Sequence, residues 1–307
     1  MSQLSNKSTS PLRYPGGKSK LTQFVGHILD LNSVDGTYIE PFAGGAGVAL
    51  NLLYSHKVAT IVINDLDDGV HSFWSTVLTE PDFLIERIRE TPFDYINPSH
   101  MPDSETLQSI WKHHHSQYFR NKYHSTREKA YDFFMLNRMN VSGIINAGPI
   151  GGTSQIGLYN ISSRFNKTTL IERIERVYSY RDRIILTNFE ASHFLQRLSQ
   201  GEICDTHNSL IYLDPPYYVQ GKNLYNCYAT DRIHTLVAER LLDSDWNWIL
   251  TYDIAPQIDA LYPSNKIQKY TYHIQYSANK KGNFQEYLFA SKDIAVDSFA
   301  NVNLHCM

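Results

Sequence analysis

The chain has 307 residues, of which 42% are hydrophobic, 19% charged and 13% aromatic, with a formal net charge of −3. That composition excludes a wholly disordered polymer and suffices for one α/β core carrying a sizeable insertion. No run approaches the roughly 20 apolar residues that cross a bilayer, and the polar start MSQLSNKSTS lacks the apolar heart of a signal peptide, so a cytoplasmic protein is expected.

The net charge conceals a division. From Lys112 to Arg183 there are 12 Lys and Arg against 5 Asp and Glu, net +7, and the rest of the chain carries 16 against 26, net −10. So basic a segment in an acidic chain suits a polyanion, with a solvated, salt-bridged helical face as the alternative. The three cysteines, Cys204, Cys227 and Cys306, are far apart and form no Cys-x-x-Cys, and they read as free thiols.

Near the N-terminus, LRYPGGKSKL (Leu12 to Leu21) sets a Pro-Gly-Gly turn ahead of Lys18 and Lys20 at a helix start. A lysine there can reach a carboxylate or a phosphate, or belong to a capped surface helix. TYIEP (Thr37 to Pro41) reads as a strand, Gly47 to Ser55 as a helix and TIVIND (Thr60 to Asp65) as a second strand. YIEPFAGGAGVAL is therefore a strand, a Gly-rich turn and a helix start, followed by Asp65 at the end of the next strand. Glycines let a ligand approach the backbone, and an acid so placed accepts hydrogen bonds from ribose hydroxyls, which points to a nucleoside-containing ligand. A dinucleotide fingerprint fails, because the pattern runs from Gly45 to Gly47 and then meets Leu50 where Gly or Ala is required.

Residues 81–182 break the strand rhythm, and the expected division is a core of 1–80 and 183–307 around an insertion of 81–182. The insertion starts helical, passes through the uncharged, Gly-rich MNVSGIINAGPIGGTSQIGLYN, which suggests loops or a hairpin, and closes on a helix from Thr168 to Tyr180 with Leu170, Ile171, Ile174 and Val177 at helical spacing. Within it, KHHHSQYFRNKYH places three histidines side by side. They cannot share one helix face, so a solvated basic patch is expected rather than a metal site.

Strands resume with RIILTNF (Arg183 to Phe189), SLIYLD (Ser209 to Asp214) and WILTYD (Trp248 to Asp253), with a helix from Ile233 to Leu242 between the last two. The alternation predicts a parallel sheet with helices on both faces. IQKYTYHIQYS and FQEYLFAS, joined by ANKKGN, read as an antiparallel hairpin closing it, with Tyr270, Tyr272 and Tyr276 in sheet packing.

The stretch IYLDPPYYVQGKNLY, Ile211 to Tyr225, drives a strand into an acid and two prolines. Neither proline donates to a ladder, so the strand stops and Asp214 is aimed at something outside it. If an exocyclic amino group sits there, the carboxylate and the Pro215 carbonyl accept its two hydrogens, which frees the nitrogen lone pair for attack. Pro216 stiffens the turn, and Tyr217 offers a face on which a flat ring can stack. Such chemistry is positioning and hydrogen bonding, with no metal and no strong base. A merely rigid turn is the alternative.

Together these residues resemble the Dam-type DNA adenine N6-methyltransferases, in which the cofactor motif precedes the recognition segment and the Asp-Pro-Pro-Tyr motif follows it. RYPGGK, EPFAGGAG, NDLD and LDPPYY look like the family's motifs in that order, with LNRMNVSGII and GLYNISSRFNK like its recognition segment. The resemblance implies a Rossmann-like, S-adenosyl-L-methionine-dependent α/β sheet with a mainly helical recognition lobe inserted. It implies Asp214, Pro215, Pro216 and Tyr217 as catalytic residues, with Tyr217 stacking on a flipped adenine. It also implies Tyr14, Lys18, Glu40, Phe42, Gly44, Asp65, Phe189 and Asp214 as cofactor contacts. Tyr14 stands where some members carry Trp, and the register of Gly44, Gly45 and Gly47 against the family glycines is ambiguous. Double-stranded DNA is the expected partner, met by a monomer or weak dimer in the cytoplasm at the nucleoid, and methylation of RNA or protein amino groups is the alternative. Because Arg reads guanine and Asn reads adenine bidentately, Arg138 and Asn140 are expected at base edges, with Arg164 and Lys167 at phosphates.

Overall fold

The structure is a computed structural model that describes residues 4, 6, 8–14, 16–98, 101–157, 159–218, 230–276 and 282–307. In chain order the elements begin with α1 (Thr22–Leu31), β1 (Thr37–Glu40), α2 (Gly47–Tyr54), β2 (Thr60–Asn64), α3 (Asp68–Thr79), α4 (Pro81–Glu90), α5 (Ser104–Arg120), α6 (Thr126–Met139) and α7 (Lys167–Ser179). They continue with β3 (Ile184–Thr187), α8 (Ala191–Ser199), β4 (Ser209–Leu213), α9 (Asp231–Leu242), β5 (Trp248–Asp253), α10 (Pro256–Leu261), β6 (Ile267–Tyr276), β7 (Gly282–Ser291) and β8 (His305–Cys306). The chain forms two compact units, the first of Met1–Thr9, Gly16–Leu66 and Asp182–Met307, the second of Ser10–Pro15 and Asp67–Arg181.

The first unit holds one sheet of order β3-β2-β1-β4-β5-β7-β6-β8. β1 to β5 pair in parallel, and β7 runs antiparallel to both β5 and β6. The expected parallel sheet with its C-terminal antiparallel hairpin is thus present, although most of the ANKKGN turn and Cys227 lie outside the described residues. All of β4, SLIYL, is buried, as a central parallel strand covered on both faces must be. Ile39, Val62, Ile211, Leu213 and Leu250 of the strands pack with Phe194 and Leu195 of α8 and Val237 and Leu241 of α9 in one core. Thr37 lies level with Thr60 on one side and Ser209 on the other, so β1, β2 and β4 end on a common edge. There the strand order reverses between β1 and β4, the point at which open α/β sheets leave a crevice for ligands.

The second unit is helical, and local chemistry sets its helix starts. Asp67 accepts from the amides of Gly69 and Val70 to begin α3, and Asp103, Ser125 and Asn166 cap α5, α6 and α7 likewise. Its long segment begins at Asp67, because α3 packs within it: Phe73 stacks on Phe134 of α6 with ring centroids 5.5 Å apart. The Gly-rich segment is irregular, with a 3-10 turn at Val141–Gly143, one bridge, Asn140 to Pro149, and no hairpin among the described residues, and a second 3-10 turn, Ile161–Arg164, follows it.

The histidine run is not uniformly solvated. His114 turns inward on α5, where its Nδ1 meets the Asp132 carboxylate at 2.6 Å in a buried pair, while His113 stays exposed. Cys204 and Cys306 carry free thiols. No helix among the described residues is long and apolar enough to cross a membrane.

Phe134 is fully buried. Phe134→Ala should cost about 3–5 kcal/mol by transfer and cavity terms, read as a lower urea midpoint; an unchanged midpoint would mean that this stack does not hold the unit.

Candidate active site at the edge of the parallel strands

Asp214 follows β4 directly, and its side chain is 22% exposed. Its Oδ1 is occupied twice, by the Lys18 ammonium at 2.9 Å and the Thr251 hydroxyl at 3.0 Å. Among the described residues, Oδ2 and the Pro215 carbonyl take no partner. Lys18, from the 3-10 turn Lys18–Leu21 that leads into α1, is almost wholly buried. It also donates to the Tyr217 hydroxyl at 2.9 Å and lies 3.3 Å from Oε2 of Glu286. Glu286 accepts from the hydroxyls of Tyr217 at 2.5 Å and Tyr272 at 2.6 Å. Burial raises the Asp214 pKa, the Lys18 ammonium opposes the rise, and Glu286 adds to it.

The reach expected of Lys18 therefore ends on carboxylates. Glu286, Thr251 and Tyr272 were not anticipated from the sequence. A signal for Glu286 exists, since it shares a strand face with Phe284 and Leu288 at two-residue spacing, so an acid lies in phase with apolar residues. Tyr272 is buried, Tyr270 bonds to Gln268, and the Tyr276 side chain lies outside what is described.

Along the same edge, Gly44 has a φ of +47°, a left-handed conformation that suits glycine, and its amide donates to Oδ2 of Asp65 at 2.7 Å. Ala46 is also left-handed, at φ +47°, and begins α2. A Cβ on Gly47 would collide with the Ser19 hydroxyl, so that turn packs closely against the lysine segment. Glu40, at the end of β1, is 5% exposed and accepts from the Ala49 amide in the first turn of α2 at 3.2 Å. Burial pushes its pKa up to about 8, against the ordinary 4.5, and the Asp214 charge adds to the rise. Phe42 and Phe189 are partly buried against the core, and both amide groups of Phe189 are held by Asn64.

The remaining expected residues lie in the second unit. Tyr14 belongs there and is half-buried. Arg138 is 8% exposed and donates to the main-chain carbonyls of Arg164 and Pro11. Burial lowers its pKa to about 9, and Arg13, Arg173 and Arg164 add to the fall. Asn140 is fully buried: its amide nitrogen serves the carbonyls of Ile144 and Ile145, and its oxygen takes the Trp111 indole at 2.7 Å. Neither side chain has a free edge for a base. Both side chains are spent within the second unit, on carbonyls of the segment that follows α6. Arg164 is exposed and its guanidinium takes no partner among the described residues, whereas the Lys167 ammonium donates to the Arg89 carbonyl at 2.7 Å.

An acid at the end of a central parallel strand, a stiff proline turn behind it and a Gly-rich turn on the neighbouring strand thus meet at one edge of the sheet. Residues 14–269 match the model of the D12 class N6 adenine-specific DNA methyltransferases, and the chain belongs to that family. It is similar to the type II methyltransferase M.MjaIII of Methanocaldococcus jannaschii, with 23% identity over 218 residues, 67% of this chain and 68% of the relative. Among solved structures it is similar to the rRNA methyltransferase aviRa from Streptomyces viridochromogenes, at 12% identity with a TM-score of 0.33 over 90% of this chain and 85% of that one, a likeness too slight to bear on fold or substrate.

Two outcomes follow from the burial. Between about pH 5 and about pH 8 the folded chain keeps on Glu40 a proton that the unfolded chain has released, so this group makes stability fall as pH rises. Glu40→Gln should flatten that fall in a series of thermal midpoints, and an unchanged slope would refute the raised value. Arg138→Ala leaves buried carbonyls unpartnered at about 1–3 kcal/mol for each, so it should lower the thermal midpoint without broadening the choice of methylated site; broadened choice at an unchanged midpoint would restore the base-reading role.

Proposed function

We propose that this chain is a site-specific DNA adenine N6-methyltransferase that turns its target adenine out of the duplex and uses S-adenosyl-L-methionine as methyl donor. The observation that carries the reading is the asymmetry of Asp214. Lys18 and Thr251 fill Oδ1, and the acceptors left over, Oδ2 and the Pro215 carbonyl, match in number the two hydrogens of an exocyclic amino group. Holding both hydrogens withdraws the nitrogen lone pair from the ring, and the Tyr217 ring supplies the stacking face. The methylated nitrogen is acidic enough to lose its proton without a strong base, so Asp214 serves as acceptor and aligner.

The donor set suits the cofactor. Asp214 and Glu286 share the Lys18 ammonium, which leaves the site net negative, as a cationic ligand requires. In this reading Asp65 and Gly44 meet a ribose, Phe42 and Phe189 form apolar walls, and Glu40 and Lys18 make further contacts. S-adenosylmethionine supplies a methyl group made electrophilic by its sulfonium.

Turning out a base costs a few kcal/mol, recovered through stacking and backbone contacts. The second unit is the recognition lobe in this reading, with Arg164 at a phosphate and Lys167 offering its remaining donors to another. The enzyme works as a monomer or weak dimer at the nucleoid, and the type II name of its relative favours a restriction-modification setting.

The test is modified-base sequencing of DNA from a host without its own adenine methylation that expresses the chain or its Asp214→Ala variant. N6-methyladenine at one recurrent short motif, absent with the variant, is expected. A soluble, cofactor-binding wild type that leaves DNA unmodified would sink the proposal.

A further inference from the structure

We infer that Glu286, on β7, is a positioning residue of the methyl transfer: through Lys18 and Tyr217 it holds the proline turn so that Oδ2 of Asp214 stays directed at the target amino group. The inference rests on the reading of Asp214 given above. Both groups that orient the turn end on Glu286. The Tyr217 hydroxyl donates to its Oε1 at 2.5 Å, and the Lys18 ammonium lies 3.3 Å from its Oε2 while pairing with Oδ1 of Asp214 at 2.9 Å. Tyr272 donates to Oε2 from the neighbouring strand at 2.6 Å and so fixes the acid itself. Glu286 is 2% exposed, and burying a second carboxylate beside a single ammonium is expensive. Packing alone would be served as well by a neutral residue of the same shape.

The second charge has a consequence for protonation. The groups facing Asp214 are Lys18, Tyr212 on its own strand, Thr251 and Tyr252 on β5, Glu286 on β7, and Tyr38 and Glu40 on β1. The three phenols are driven well above their ordinary range and stay neutral, and Glu40, at about 8, is largely protonated at neutral pH. Lys18 and Glu286 are therefore the charges that set Asp214. Asp214 accepts on both of its oxygens only when ionised, so activity falls as pH drops through its raised pKa. Removing the Glu286 charge lowers that pKa and moves the acid limb of the profile to lower pH.

The test compares the full-length wild type with Glu286→Gln and Glu286→Asp, assayed for N6-methyladenine on DNA bearing the sequenced motif. Calorimetric binding of S-adenosylmethionine and thermal midpoints are measured alongside. Glu286→Gln removes one of the two negative charges at the site, so it should bind the cofactor more weakly and, at saturating cofactor, lose about ten- to a hundredfold in kcat and shift its acid limb to lower pH. Glu286→Asp keeps the charge at a shorter reach and should lose kcat with the acid limb in place. Wild-type kcat in either variant overturns the inference, as does a Glu286→Gln acid limb that stays where it was, the mark of a structural role alone. If Glu286→Gln does not fold, Glu286→Asp still decides through kcat. A wild type that makes no N6-methyladenine fails the reading of Asp214 before any variant is compared.

Discussion

Everything at the strand edge depends on one buried ammonium shared between two acids. Lys18 is 5% exposed and meets both Asp214 and Glu286. It lets two carboxylates sit at the sheet edge, where desolvation alone would protonate them. Three separate stretches of chain must be correctly placed for the arrangement to exist: the turn before α1, the end of β4 and the middle of β7. The parallel order brings β4 into the sheet centre, and the antiparallel hairpin brings β7 beside β5, where its inward acid comes within reach of the lysine.

The same interaction divides the labour of Asp214. One oxygen is anchored by Lys18 and Thr251 and the other takes no partner among the described residues, so the acid has a fixed direction. Preorganisation of this kind removes the reorientation that a solvated carboxylate undergoes on meeting a donor. The proline pair contributes in the same sense, because neither residue donates an amide that could compete for the open oxygen.

Much of this was legible in the sequence, and the limits are physical. β-branched runs between helical spacers gave the sheet, the two prolines gave the end of β4, and the glycines gave the left-handed turn beside Asp65. The inward turn of Arg138 and Asn140 was not legible, because residue type reveals which donors a side chain owns, not which partners it has found. Both lie at or next to the end of α6, where the irregular segment after the helix leaves carbonyls that must be satisfied inside the fold. His114 was misread for a related reason: a helix can turn one of three neighbours inward when a carboxylate such as Asp132 waits there. Glu286 escaped because an acid in a strand is usually solvated, and only its phase with Phe284 and Leu288 marked it. The start of the second unit's long segment at Asp67 was hidden by the strand rhythm, which does not reveal which face of α3 finds a partner.

The left-handed alanine that begins α2 says something about stiffness. Ala46 is 1% exposed and sits among Gly44, Gly45 and Gly47, any of which could take a left-handed conformation at no steric penalty. A methyl group there costs about 1–2 kcal/mol relative to a right-handed residue. In exchange the turn gives up the wide conformational freedom that a fourth consecutive glycine would allow. The backbone beside Asp65 is consequently a tensioned, single-shaped surface, held closer to one geometry than its glycine content suggests.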